Sequence, residues 1–232
     1  MTVAAERSPY RSPWLVIFGI VAAGQLLLIA LQIPGQIGAI PTWLVAPALA
    51  VWVWRARGPK LLVAALLLCW VGDLLGNPRL LGLPPAAFYL SIASFVLAIA
   101  VLVILFVRGG AMRSVPGGRR LLRAGIGVVY LAAGAAALVI SWNGLGGVLR
   151  VVGIAYVLLL VIMATTAFML HRQIGLGAAL LLAAHLLIVL EVGGPVDGTT
   201  TVFRLVFWTL YLLGILLIAM GVVSGQRRLR AD

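Results

Sequence analysis

Long apolar runs alternate with short polar breaks along the whole chain. The runs fall near residues 14–31, 37–54, 61–76, 86–107, 124–141, 148–170, 174–192 and 202–223. Most approach the roughly 20 residues with which an α-helix crosses a bilayer's hydrocarbon core. Hydrocarbon offers backbone groups no water to bond, so a spanning run must be helical or part of a closed barrel. Runs of this length and continuity predict an all-α polytopic bundle of about eight transmembrane spans, a single domain over residues 1–232. The first run resembles a signal peptide's apolar region but exceeds its usual length, and no clear cleavage site follows, so it reads as a crossing. The second contains Pro41 and Pro47, which neighbouring helices tolerate in a membrane.

Helices that are apolar on every side carry little amphipathic signal, so small residues say more about packing. Gly72 and Gly76 form a GxxxG pair, and Gly175, Ala179 and Ala183 recur every four residues. Such stripes let membrane helices approach closely. No internal repeat is obvious, so the sequence lends no support to an inverted-repeat transporter.

Composition agrees with the pattern. Hydrophobic residues make up 64% of the 232 positions and charged residues only 9%, whereas a soluble domain is about a quarter charged. The net charge of +12 would point to nucleic acid in a soluble protein. Here the basic residues sit between apolar runs, where they set topology and meet anionic headgroups at the cytoplasmic face. Fourteen of the 17 basic residues lie at the termini and in the 2–3, 4–5 and 6–7 loops, leaving only Arg79, Arg150 and Arg204 for the other side. Positive residues stay inside, so both termini are expected in the cytoplasm of a bacterial cell, with the chain in its plasma membrane. The single cysteine, Cys69, excludes an internal disulfide.

The few remaining polar groups are the candidate site, because each ionisable side chain costs about 2.5–3.5 kcal/mol at mid-membrane on the insertion scale. Asp73 ends the third span and shares a helix face with Leu66, Cys69, Trp70, Gly76 and Asn77. His185 lies about two thirds of the way along the seventh span and Glu191 near its end. Arg204 opens the eighth, with Trp208 and Tyr211 on the same face. The expected topology brings all of these to the outer half of the membrane, which suits a polar pocket opening outward. Plainer roles are also available. Asp73 can pair with Arg79, His185 can bond a neighbouring carbonyl, and Glu191 and Arg204 can be interfacial charges.

Other chemistries find no foothold. The sequence has no GxSxG elbow, and no P-loop or EF-hand pattern. His171 and His185 are the only histidines, and they belong at opposite depths, so no shared metal is expected. No cofactor, nucleic acid or protein partner is evident.

Several segments resemble the YhhN membrane family, whose characterised members include lysoplasmalogenases. The third span, LLLCWVGDLLG, is similar to the family's GD-containing helix, and FYLSIASFVLAIA resembles the helix that follows. GAALLLAAH in the seventh span resembles a stretch running from a GA pair to an SD pair. TLYLLG in the eighth resembles a helix with a tyrosine and a nearby glutamine. Four family positions differ here: Ala46 stands for a lysine, Ile99 lies near a histidine's place, His185 replaces the second aspartate, and Gly214 lies near the glutamine's place.

The resemblance implies hydrolysis of the vinyl-ether bond of a lysophospholipid; of the family's polar set only Asp73 is retained, and Asp73 with His185 are the candidate catalytic residues. Arg79, Arg150, Arg204 and Tyr211 are the candidate substrate-binding residues. Vinyl-ether cleavage needs a general acid, a negative charge near the oxocarbenium ion and a base for water. Desolvation can keep a buried Asp73 protonated, and a neutral His185 can take a proton from water. The alternative is a non-catalytic relative that binds lipid or acts as a small transporter. A shared cavity with Asp73 and His185 on its wall and an arginine at its mouth separates the two.

Overall fold

Helices form wherever the apolar runs lie. The computed structural model describes residues 12–76, 81–111 and 118–231. Its helices are α1 (Pro13–Ala30), α2 (Gly35–Arg55), α3 (Lys60–Leu75), α4 (Ala87–Phe106), α5 (Gly118–Ser141), α6 (Gly147–Leu170), α7 (Arg172–Val192) and α8 (Thr201–Ala231). Extended Ser12 followed by Pro13 starts α1, since proline at the first helical position lacks only an amide that would have no partner there. α2 runs unbroken through Pro41 and Pro47. α5 begins six residues before its apolar run and α8 continues eight beyond its own. Hydropathy marks only the lipid-facing part of a helix, while arginine-rich ends continue it because arginine is a good helix former.

Among the described residues, seven helices are long and apolar enough to cross a membrane. The third expected span is the exception. At 16 residues, α3 rises about 24 Å, short of a hydrocarbon core of about 30 Å. Its last turn carries Asp73.

The packing order closes a ring. α1 packs on α2, α2 on α3, α3 on α4, α4 on α6, α6 on α7, α7 on α8, and α8 back on α1. α5 stands outside, against α6 and α7. Val128, Val129 and Val139 of α5 and Val148 and Val151 of α6 point outward and are exposed, which suits lipid. Inside the ring the two halves differ. Leu49, Leu62, Ile99, Phe106, Leu160, Met163, Leu181 and Ile218 are fully buried and fill one half. The other half holds a cavity.

Small residues set the closest approaches. Gly177 of α7 and Gly214 of α8 face each other, and a Cβ on Gly177 would lie 2.8 Å from the Gly214 carbonyl oxygen. The contact between α7 and α8 thus runs through Gly177, while Gly175 of the other stripe closely meets Phe168 of α6, where a Cβ would lie 2.7 Å from the Phe168 Cα. Gly72 serves α3 and α4: a Cβ there would meet the Phe95 ring at 2.7 Å. Two serines of α4 tie this pair together. Ser91 Oγ donates to the Gly72 carbonyl at 2.8 Å and Ser94 Oγ to that of Leu68 at 2.7 Å. Interhelical bonds of this kind place α3, and with it Asp73, against α4.

Candidate functional site

All seven ring helices contribute to the cavity, which measures about 700 Å³. Its polar wall comprises Gln25 from α1, Thr42 from α2, Asp73 from α3, Ser91 from α4, Tyr156 from α6, His185 and Glu191 from α7, and Arg204 and Tyr211 from α8. Phe95, Trp43, Phe207 and Trp208 supply aromatic surface. The helices alternate in direction, so the C-terminal parts of α3 and α7 meet the N-terminal parts of α2, α4 and α8 at one end of the bundle.

Asp73 and Tyr211 form the centre of the site. The Tyr211 hydroxyl donates to Asp73 Oδ2 at 3.0 Å, and Tyr211 is fully buried. Asp73 Oδ1 has no hydrogen-bond partner among the described residues. Cys69, one turn earlier on α3, is a buried free thiol.

His185 is the second chemical group. Its Nδ1 lies 2.7 Å from the Leu181 carbonyl oxygen, one turn earlier on α7. A carbonyl only accepts, so Nδ1 carries the hydrogen and the neutral ring keeps its lone pair on Nε2. Nε2 has no partner among the described residues. Three aromatic rings enclose the imidazole: Phe95 at 5.6 Å, Tyr156 at 5.8 Å and Tyr211 at 6.2 Å between centroids. Tyr211 thus touches both functional groups, its hydroxyl bonded to Asp73 and its ring beside His185. His185 satisfies a carbonyl, as a core histidine does, and it also lines the cavity.

Arg204 lies near the mouth, three residues after α8 begins. It stands seven residues before Tyr211, about 10 Å nearer the helix end. Glu191 and Thr199, both exposed, complete this rim. The connection from α7 to α8 is shaped by Asp197, whose Oδ1 accepts from the Thr199 hydroxyl at 2.7 Å and the Thr199 amide at 2.9 Å. Those two donors hold its carboxyl below the usual carboxylate range. The Thr200 hydroxyl accepts from the Phe203 amide at 3.3 Å and caps α8. Gln32, in the left-handed region after α1, donates to the Thr201 hydroxyl at 3.1 Å. That bond ties the α1–α2 turn to the start of α8 across the mouth.

The remaining expected site residues stand elsewhere. Arg150 Nε donates to the Leu145 and Trp142 carbonyls at 2.9 and 3.2 Å, and its guanidinium stacks 4.8 Å from the Trp142 ring centroid. It braces the α5–α6 turn and is not on the cavity wall. Arg79 lies outside the described residues. His171 caps α7 by accepting from the Gln173 amide at 3.2 Å. It precedes His185 by 14 residues, a helical rise of about 21 Å. Gln25, a cavity residue that the sequence pattern did not single out, is a lone amide inside an otherwise apolar span.

A sequence model of the YhhN family matches residues 37–222. The chain belongs to the YhhN family. Neither the curated proteins nor the solved structures include a match to it. In this YhhN chain Asp73, His185 and Tyr211 lie within the matched region, whereas α1 and its Gln25 precede it. The positions of the expected family differences are also resolved. Ala46 and Ile99 are fully buried and Gly214 is pressed against α7, so none of these three lines the cavity, whereas His185, the fourth difference, does.

Proposed function

We propose that this YhhN protein hydrolyses the vinyl-ether bond of a lysophospholipid, as a lysoplasmalogenase-type membrane enzyme. The observation that carries the reading is the single cavity holding Asp73, Tyr211 and His185, with Arg204 near its mouth. The opposite half of the ring is filled by buried apolar side chains. A closed-ended pocket favours an enzyme over a transporter.

Each step follows from the groups present. Asp73, as a neutral carboxylic acid, gives its proton to the vinyl carbon that does not bear oxygen. The positive charge then resides on the ether oxygen and its attached carbon, beside the new carboxylate. Tyr211 stabilises that carboxylate through its hydrogen bond to Oδ2. Water adds to the charged carbon while His185 Nε2 takes one of its protons, giving a hemiacetal. The hemiacetal hydroxyl returns a proton to Asp73, the carbon–oxygen bond to glycerol breaks, and the imidazolium protonates the leaving oxygen. A fatty aldehyde and a glycerophospho-alcohol leave, one water has been consumed, and both residues regain their starting states. Arg204 meets the phosphate through charge-assisted hydrogen bonds.

The test is aldehyde release from a lysoplasmalogen by purified protein in nanodiscs. In D₂O, reductive trapping of the product should reveal one deuterium on the carbon next to the aldehyde. Absence of aldehyde release would contradict the proposal.

A further inference from the structure

Gln25 is an amide on the cavity wall whose oxygen has no partner among the described residues. It is 1% exposed, and its Oε1 is buried. Such an atom is costly when left unmatched. It reaches the wall from α1, which packs against α2 and α8. Its depth is informative. Gln25 stands five residues before α1 ends, about 7.5 Å of helical rise from that end. Arg204 is only three residues from the corresponding end of α8. The amide is therefore about 3 Å deeper than the arginine, at a level between Arg204 and Tyr211, which is ten residues into α8.

That placement selects what the amide can meet. With the lipid phosphate at Arg204 and the reacting ether at Asp73, the glycerol unit lies between them. A lysophospholipid carries one free hydroxyl on that unit, at the middle carbon. A hydroxyl donates and accepts, and so does a carboxamide, whose oxygen and nitrogen exchange places on a half-turn. A phosphate only accepts and an ammonium only donates. We propose that Gln25 is a specificity residue that hydrogen-bonds the free glycerol hydroxyl of the lipid and so discriminates in favour of hydroxyl-bearing substrates. A buried polar site of this kind rejects a ligand lacking the matching group, because its own amide is then left unpaired. The inference rests on the lysophospholipid reading of the cavity, but it can be tested without turnover.

Trp43 and Trp208 line the cavity, so tryptophan fluorescence can follow occupancy. The probes are 1-acyl lysophosphatidylethanolamine and its 2-deoxy analogue, titrated into protein in nanodiscs below their micelle concentrations. The wild type should bind the hydroxyl form about tenfold more tightly. Gln25→Leu and the near-isosteric Gln25→Met should bind both forms alike, with the affinity for the deoxy form kept. A wild type without preference, or a preference that survives in both variants, overturns the proposal. Equal loss of affinity for both probes also overturns it, since that marks a structural role. Preference without aldehyde release would instead contradict the hydrolase reading and leave the Gln25 assignment standing.

Discussion

The hydrogen bond from Tyr211 holds Asp73 by one oxygen, and among the described residues the other oxygen has no partner. In the proposed reaction the carboxylate formed after proton transfer is stabilised by that bond. Tyr211→Phe should therefore lower kcat about tenfold with little change in KM, and cost about 1 kcal/mol of stability. Steady-state kinetics and thermal unfolding in detergent check the two effects, and an unchanged kcat would remove Tyr211 from the chemistry. Arg204→Gln should have the opposite profile: KM up about tenfold and kcat nearly kept, because a phosphate contact away from the reacting bond contributes uniform binding. Asp73, His185, Tyr211 and Arg204 were legible in the sequence because charge is so scarce in this chain that each intramembrane polar group stands out. Gln25 was not, since one neutral amide among apolar residues makes no pattern and only the fold reveals that it faces a cavity. Arg150 shows the converse difficulty. An arginine in the first turn of a helix that satisfies two carbonyls and stacks on Trp142 reads, in sequence, like one waiting for phosphate.

Helix existence followed directly from the apolar runs, while helix ends and faces needed tertiary structure. Hydropathy could not mark the arginine-bearing ends of α5 and α8, although the short run at 61–76 did match the length of α3. It also could not choose between glycine stripes. Gly175 and Gly177 are equally small, but Gly177 meets α8 backbone to backbone. Gly177→Ala places a Cβ 2.8 Å from backbone atoms of Gly214 and Ile218 and should destabilise the fold by about 1–3 kcal/mol. Gly19→Ala, where nothing lies within 4 Å, should leave the melting temperature unchanged or slightly raised. Equal melting temperatures for the two variants would contradict the close α7–α8 approach.

The ring of seven helices has one filled half and one hollow half, and the arrangement of charge along the sequence orients it. Most basic residues belong to the end away from the cavity, so the mouth is expected to face outward from the cytoplasm. A Cys69→Ser background with Thr199→Cys should react with an impermeant maleimide on intact cells, whereas a cysteine placed at Thr2 should react only after permeabilisation. The reverse labelling would invert the topology. The central claim is that the hollow half is an active site whose acid is Asp73. The most direct measurement is kcat/KM for lysoplasmalogen hydrolysis by wild type and Asp73→Asn, with melting temperatures recorded beside it. Loss of a general acid is expected to lower the rate by about 10²–10⁴-fold in a variant that still folds, and undiminished hydrolysis by folded Asp73→Asn would contradict the account.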